Sequence, residues 1–413
     1  MAAVAVDPVL RRARLGVTLI FMTNGMVWAN LAPRFPEIRT NLGLSYGQFG
    51  IAVMFSGFGA LAFGLAAAAI IRRFSSARVG LVGMTLMSLA AVIAVMVPNG
   101  YLFAAAFFVL GAIDSFVDVA QNAHGLRVQR EYKRTIINAF HGMWSVGAVI
   151  GGLTAAAAAG LGISVPVHLA IVAVLLTGVN IYAYTLLLKG PDTEPEEIVD
   201  ASSEPQRRGF PRVPGRVWLM VGALSLIAIS GAWVEDAAIS WSASYLHDEL
   251  HAGATVAAFG FVALMAMHFV GRMIGDGLID RFGQRLVTRV GGIITAVGMG
   301  VALMWPSIPL TIVGFGLAGL GVATTIPVAM HVADELPGFR HGTGLTILSW
   351  VLRFGFMLSP VVVGAIADAD SLRTGLSLVV VAGVVVAVLA QVLSPRRNTH
   401  ALESASPEPH AAP

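Results

Sequence analysis

Residues 189–216 read Lys189-Gly-Pro-Asp-Thr-Glu-Pro-Glu-Glu-Ile-Val-Asp200-Ala-Ser-Ser-Glu-Pro-Gln-Arg207-Arg-Gly-Phe-Pro-Arg212-Val-Pro-Gly-Arg216, and on either side lies a long tract almost bare of charge. The density of Pro, Glu, Ser and Arg in this stretch is that of a solvated, mostly disordered linker. The flanking tracts can be scanned with a window of about 20 apolar residues, the length a helix needs to cross a bilayer. Six such windows precede the linker, near 15–32, 46–71, 79–97, 101–126, 135–161 and 165–188. Six follow it, near 217–246, 254–279, 286–305, 309–332, 343–368 and 374–393. The expected organisation is a six-helix bundle over 1–188, a linker over 189–216, a second bundle over 217–393 and a disordered tail over 394–413.

Composition supports this reading. Of 413 residues, 56% are apolar and 12% charged, where a soluble globule has about 25% charged residues. So few charges cannot coat a water-exposed surface of that size, so the coat is lipid. The apolar runs are continuous and long, which favours helices over the short alternating segments of a barrel. The first run has the length of a span and leads into further spans, unlike a cleaved signal. The chain has no cysteine, which removes disulfides, thiolate metal sites and thiol nucleophiles. No metal or cofactor is expected.

Basic residues give the orientation, because loops on the cytoplasmic side retain Lys and Arg. Of 26 basic residues, only Arg34, Arg39 and Arg373 fall on one face, Arg272 and Arg353 fall inside spans, and all the rest share the other face. Both termini are therefore expected in the cytoplasm. No basic stripe with interleaved aromatics is left over for a nucleic acid. No Gly-x-x-x-x-Gly-Lys-Ser/Thr loop supports pumping by ATP.

The halves echo each other. One constant shift superposes Arg73 on Arg281, Phe74 on Phe282, Val79 on Val287 and Gly83 on Gly291, where second span, loop and third span meet in each half. A similar shift sets Gly25 against Gly231. Parallel six-span repeats joined by a linker are the architecture of the major facilitator superfamily, with its substrate site near the midplane between halves. The stretch Gly271-Arg-Met-Ile-Gly-Asp-Gly-Leu-Ile-Asp280-Arg281-Phe-Gly283-Gln-Arg285 resembles that superfamily's signature loop, with Asp-Arg-x-Gly-x-Arg intact. Asp276 stands where a glycine is expected, and the first-half copy has Arg72 in place of an acid. Further stretches resemble a bacterial MosC-like and YbjJ-like branch: Ala32-Pro-Arg-Phe-Pro-Glu-Ile, Asp118-Val-Ala-Gln-Asn122-Ala-His-Gly125, Phe140-His141-Gly-Met-Trp-Ser-Val-Gly147 and Trp241-Ser-Ala-Ser-Tyr245-Leu. This chain departs from the branch at Gln121, His124 and Ser240, and carries an extra Asp236 beside Glu235. The resemblance implies an all-α integral membrane fold of twelve helices in two pseudo-symmetric bundles, placed in a bacterial cytoplasmic membrane. It also implies transport of small polar compounds, rhizopine-type sugar derivatives being suggested for one member.

Charge inside the spans points to the chemistry. Asp114, Asp118, Glu235 and Asp236 would together cost about 10 to 14 kcal/mol if charged and unpaired at the bilayer centre. They must face water, pair with bases or carry protons. Asp114 and Asp118 are four apart, hence on one helical face, and Asn122 extends that stripe by a turn. Two carboxylates one turn apart suit proton carriage; the alternative is a static partner for Arg353. Glu235 and Asp236 diverge by about 100°, so only one is expected to enter a cavity, and Glu235 matches the branch motif. His141, in the stripe Asn138, His141, Ser145, titrates near neutrality and can relay a proton or merely pack.

The proton-coupling expectation is thus Asp114, Asp118, Glu235 and His141. Substrate contacts are expected from Asn24, Trp28, Asn122, Asn138, Trp144, Asp236, Trp241, Thr324, Trp350 and Arg353. Trp side chains stack on sugar rings or organic cations, and Thr324, Thr325 and Pro327 suggest a locally opened helix. Asp280, Arg281, Arg285, Arg72 and Arg73 border the cytoplasm, where charged loops can latch two halves in one state and release them in another. The expected function is a monomeric secondary transporter for a small polar organic solute, proton-coupled, working by alternating access. Efflux of drugs or organic cations is the rival within transport, and a non-transporting sensor or scaffold is the rival outside it. No nucleophile, base and oxyanion constellation suggests an enzyme.

Overall fold

A computed structural model describes residues 7–190, 192, 214–336, 339 and 342–394. Most of the linker and all but Ser394 of the tail lie outside the described residues, so the disorder expected of both is not addressed by the structure.

Among the described residues, twelve helices are long and apolar enough to cross a bilayer. In the first half they are α1 (Pro8–Asn41), α2 (Tyr46–Gly64), α3 (Ser76–Ala94), α4 (Gly100–Tyr132), α5 (Ile137–Gly160) and α6 (Val165–Leu186). In the second they are α7 (Gly215–Glu249), α8 (Ala254–Phe282), α9 (Gln284–Met304), α10 (Ile308–Asp334), α11 (Thr343–Ala369) and α12 (Leu372–Val392). An even number of crossings in each half puts the linker and both described ends on one face, here termed the linker face.

Local chemistry sets the helix ends. Asp7 caps α1, with Pro8 in its first turn. Ser45 and Gln48 form a capping box at α2, and Asn99 and Ser371 cap α4 and α12. The tenth span is interrupted: Ile308–Val322 and Thr325–Asp334 are separate helices meeting at Ala323 and Thr324, where the sequence suggests an opened helix.

Within the first half α1 packs on α5 and α6, α2 on α4, and α3 on α4 and α6. Within the second, α7 packs on α11 and α12, α8 on α10, and α9 on α10 and α12. Each contact in one half recurs six helices on in the other, the packing counterpart of the sequence echo. The halves meet chiefly through α2 against α11 and α5 against α8, which are again counterparts. Small residues permit these approaches, since lipid supplies no hydrophobic drive between helices. A Cβ on Gly147 would run into the Met22 carbonyl of α1, and one on Gly50 into the Pro360 carbonyl of α11.

Candidate substrate cavity

Between the halves lies a cavity of about 580 Å³. The first half contributes Trp28, Asp114, Asp118 and Trp144 to its wall, and the second Asp236, Ser240 and Arg353. Phe35, Phe261, Phe356, Met54, Met265, Met330 and Met357 supply apolar surface. Three carboxylates and one guanidinium thus share a space whose remaining wall is mostly apolar.

Each acid is held differently. Asn24, buried on α1, donates to Asp114 Oδ1 at 3.1 Å and accepts from Trp144 Nε1 at 2.8 Å, so one amide orients both a carboxylate and an indole. Asp118 Oδ1 accepts from Asn122 Nδ2 at 3.0 Å and from Gln121 Nε2 at 3.3 Å, while the side chain as a whole is exposed. Asp236 Oδ1 accepts a long bond from Ser240 Oγ at 3.5 Å, and Oδ2 is buried without a hydrogen-bond partner among the described residues. Arg353 forms no ion pair within 4.0 Å among the described residues, so a static pairing with one of the aspartates is not made in this conformation.

Glu235 was the residue expected to enter the cavity, and the rotation of α7 reverses that assignment. Asp236 is on the wall, whereas Glu235 turns to α8 and lies 4.0 Å from His268 Nδ1. His268 Nε2 in turn accepts from Arg272 Nε at 3.0 Å. Because that nitrogen accepts, the ring proton sits on Nδ1, facing Glu235. Glu235 stands out in the sequence as an intramembrane acid and Arg272 as a base inside a span, but composition and motifs do not join them through His268 into one chain. Its one legible signal is the spacing of four between His268 and Arg272, which puts both on one face of α8.

Other expected contacts are displaced. Trp241 is fully buried and packs on Tyr46 at 5.9 Å and Phe49 at 6.1 Å, at the closed end of the interface. Trp350 is 43% exposed and off the cavity wall. Thr324 sits at the break in α10 and abuts Gly275 of α8. Asn24 and Asn122 are off the cavity wall and hydrogen-bond to Asp114 and Asp118. Asn138 and His141 are exposed near the linker end of α5, His141 one turn from Trp144 on the same helical face and set edge-on to Phe21 at 5.1 Å.

The face opposite the linker is closed. Arg39 at the end of α1 pairs with Asp248 at the end of α7 at 3.0 Å, and Tyr46 Oη donates to the same carboxylate at 3.1 Å. The Arg39 guanidinium lies over the Tyr46 ring at 4.2 Å. Asp368, at the end of α11, accepts from Ser45 Oγ at 2.6 Å and from the Tyr46 and Gly47 backbone N–H groups, each at 2.9 Å. A carboxylate of one half thereby caps a helix of the other, where the N-terminal partial positive charge favours it. Just outside the span ends, Asp370 is held below the usual carboxylate range by the Thr374 and Ser371 hydroxyls. Toward the linker face the halves part, and Asp118, Asn138, His141 and Arg353 are all exposed.

The expected loop latch is not closed here. Arg285 donates from Nε to the Leu393 carbonyl at 2.9 Å, a contact inside the second half. Arg281 lies over its neighbour Phe282, and Asp280 is exposed without an ion pair among the described residues. Arg72 and Arg73 line a separate groove outside the first half.

Comparison with known proteins agrees with this architecture. The chain is 29% identical over 385 residues to a Sinorhizobium fredii protein named uncharacterized transporter y4wD, spanning 92% of this chain and 97% of that one. It is 28% identical to membrane protein MosC of Rhizobium meliloti, spanning 94% and 91%. Among solved structures, a bacterial homologue of the human lysosomal transporter Spinster, inward-facing and unoccupied, superposes with a TM-score of 0.71 at 15% identity, over 94% of this chain and 98% of that one. A D-xylose–proton symporter superposes with a TM-score of 0.68 at 14% identity, over 92% and 96%. The family profile described as Major Facilitator Superfamily matches residues 17–276 and 224–412. With that profile across both halves and the paired six-helix packing, the chain belongs to the Major Facilitator Superfamily of membrane transporters.

Proposed function

We propose that this protein is a secondary active transporter, acting as a monomer in a bacterial cytoplasmic membrane, that carries a small polar organic solute of sugar or sugar-derivative type by alternating access coupled to protons. The observation that carries this reading is the placement of Asp114, Asp118 and Asp236, from both halves, on one cavity closed at the far face. Carboxylates at that depth are tolerated when water, substrate or protons reach them. On this reading the linker face is cytoplasmic, by its basic residues, and the closed conformation is inward-facing. Asp118 and Asp236 exchange protons, Asp114 is poised by Asn24, His141 relays protons toward the linker face, and Trp28 and Trp144 flank the solute. Asp280, Arg281, Arg285, Arg72 and Arg73 are the proposed contacts of the alternate state, when the linker-side ends come together.

The acid excess over Arg353, with methionine and aromatic walls, also favours organic cations, which would make the same machinery an efflux pump. A thermal-shift screen of sugars, cyclitols, amino acids and cationic drugs separates the two, because a ligand of the folded state raises its melting temperature. The hit is then followed into proteoliposomes under an imposed pH gradient. Gradient-driven accumulation of a neutral solute supports the first reading; movement of cationic compounds alone supports the second; binding without flux contradicts both.

A further inference from the structure

A larger concavity, of about 1110 Å³, lies on the outside of the first half at the linker face, walled by the short helix Ala67–Phe74 that follows α2, the start of α3, the middle and end of α4 and the end of α6. It shares no residue with the wall of the solute cavity, although Arg72 and Arg73, proposed above as contacts of the alternate state, lie in it. Arg72, Arg73, Arg78, Arg130 and Lys189 line it, all exposed. Among its described lining residues the acid is Asp192, whose carboxylate is already engaged. It accepts from the Ser76 N–H at 2.5 Å and Ser76 Oγ at 2.7 Å, and faces Arg127 at 3.4 Å.

The base of the groove is preformed. His124 Nε2 accepts from the Leu188 N–H at 3.3 Å, so Nδ1 carries the proton and donates to Ser76 Oγ at 2.8 Å. Arg127 donates to the Lys189 carbonyl at 2.8 Å. These bonds tie α3, α4 and the start of the linker together before any ligand arrives, so little ordering cost falls on binding.

The remaining wall is apolar and outward-facing: Phe74 is 53% exposed, Val119 37% and Leu126 41%. From Val119 to Arg130, α4 rises about 16 Å, the distance from acyl-chain depth to the headgroup layer. Below the groove α3 continues with exposed Val82, Leu86 and Leu89, which in a bilayer meet lipid tails. A soluble anion would use the cations and leave this wall unused. An anionic lipid uses both.

We propose that this groove binds an anionic phospholipid, with Arg72, Arg73, Arg78, Arg130 and Lys189 around its phosphodiester and Phe74, Val119 and Leu126 along its acyl chain. The test compares the full-length protein with an Arg78→Gln, Arg130→Gln, Lys189→Gln variant. Both are equilibrated in detergent with equal amounts of phosphatidylglycerol and phosphatidylcholine, and the retained lipid is read by native mass spectrometry. Wild type is expected to retain phosphatidylglycerol selectively, and the variant to lose that selectivity by at least about tenfold. A control lacking the same charge elsewhere, Arg11→Gln, Arg12→Gln, Arg216→Gln, is expected to keep it. Excess glycerol 3-phosphate is expected not to displace the lipid. Equal retention of the two lipids by wild type, equal loss in the control, or displacement by the soluble phosphate each overturns the proposal. Melting temperatures in phosphatidylcholine alone separate loss of the site from loss of the fold. If the triple variant melts early, Arg130→Gln by itself is put through the same lipid competition.

Discussion

At the scale of single residues, the site depends on amides that hold carboxylates. Replacing Asn24 by Ala leaves the Trp144 indole N–H and one Asp114 oxygen without their partner, a loss of about 1 to 3 kcal/mol. The expected outcome is a lower melting temperature together with weaker solute binding, whereas Asn122→Ala, which uncovers only the exposed Asp118, should leave melting nearly unchanged. Asp118→Asn removes the titrating group but keeps the side chain's size. Uptake driven by a pH gradient in proteoliposomes is expected to fall to the level of simple solute exchange; unchanged gradient dependence would eliminate Asp118 as a carrier. The spacing of Asp114 and Asp118 was legible because helical periodicity alone puts residues four apart on one face. Choosing between Glu235 and Asp236 was not, since two adjacent residues point about 100° apart and the rotation of α7 is set by what packs on it. Trp241 and Trp350 misled for a related reason: a tryptophan is equally at home in a cavity, at a closed interface or against lipid.

At the scale of helices, the far-face closure is where the two halves are held. Arg39 and Asp248 are each 16% exposed, between a surface pair and a buried one, so breaking their contact should cost roughly 2 kcal/mol. That bias shifts a two-state equilibrium about 30-fold toward opening at the far face. Asp248→Asn is therefore expected to raise the labelling rate of a Ser240→Cys reporter from that side, a clean readout because the chain has no native cysteine. A rate no higher than in the parent would remove the pair from the gate. The Ser45 and Gln48 capping box spans four consecutive residues, so its chemistry is local. Its second partner, Asp368, comes from the other half and has no local signature in the sequence. Gly50→Leu should disturb this same interface, by driving a side chain into the Pro360 carbonyl, and is expected to favour the open far face or to lower the melting temperature.

At the scale of the whole molecule, the architecture was the most legible part and the conformation the least. Span count and repeat both follow from hydropathy and from a few matched positions such as Arg73 with Arg281, because the bilayer imposes a minimum length and one secondary structure on every crossing. Which face is closed depends on contacts between halves, and those are small differences among many helix packings of nearly equal energy. The Asp280 loop illustrates this: its sequence suits a latch, yet in the present conformation its arginines serve their own half. If the halves rock about the cavity, contacts at the far face must be made and broken in every cycle. Gly160 at the end of α5 and Thr255 at the start of α8 offer a direct test, since a Cβ on Gly160 would stand 3.7 Å from the Thr255 Cβ, within disulfide range. With Gly160→Cys and Thr255→Cys in the otherwise cysteine-free chain, oxidation is expected to abolish transport in proteoliposomes and reduction to restore it. Transport that continues undiminished in the fully cross-linked protein would contradict alternating access between these halves.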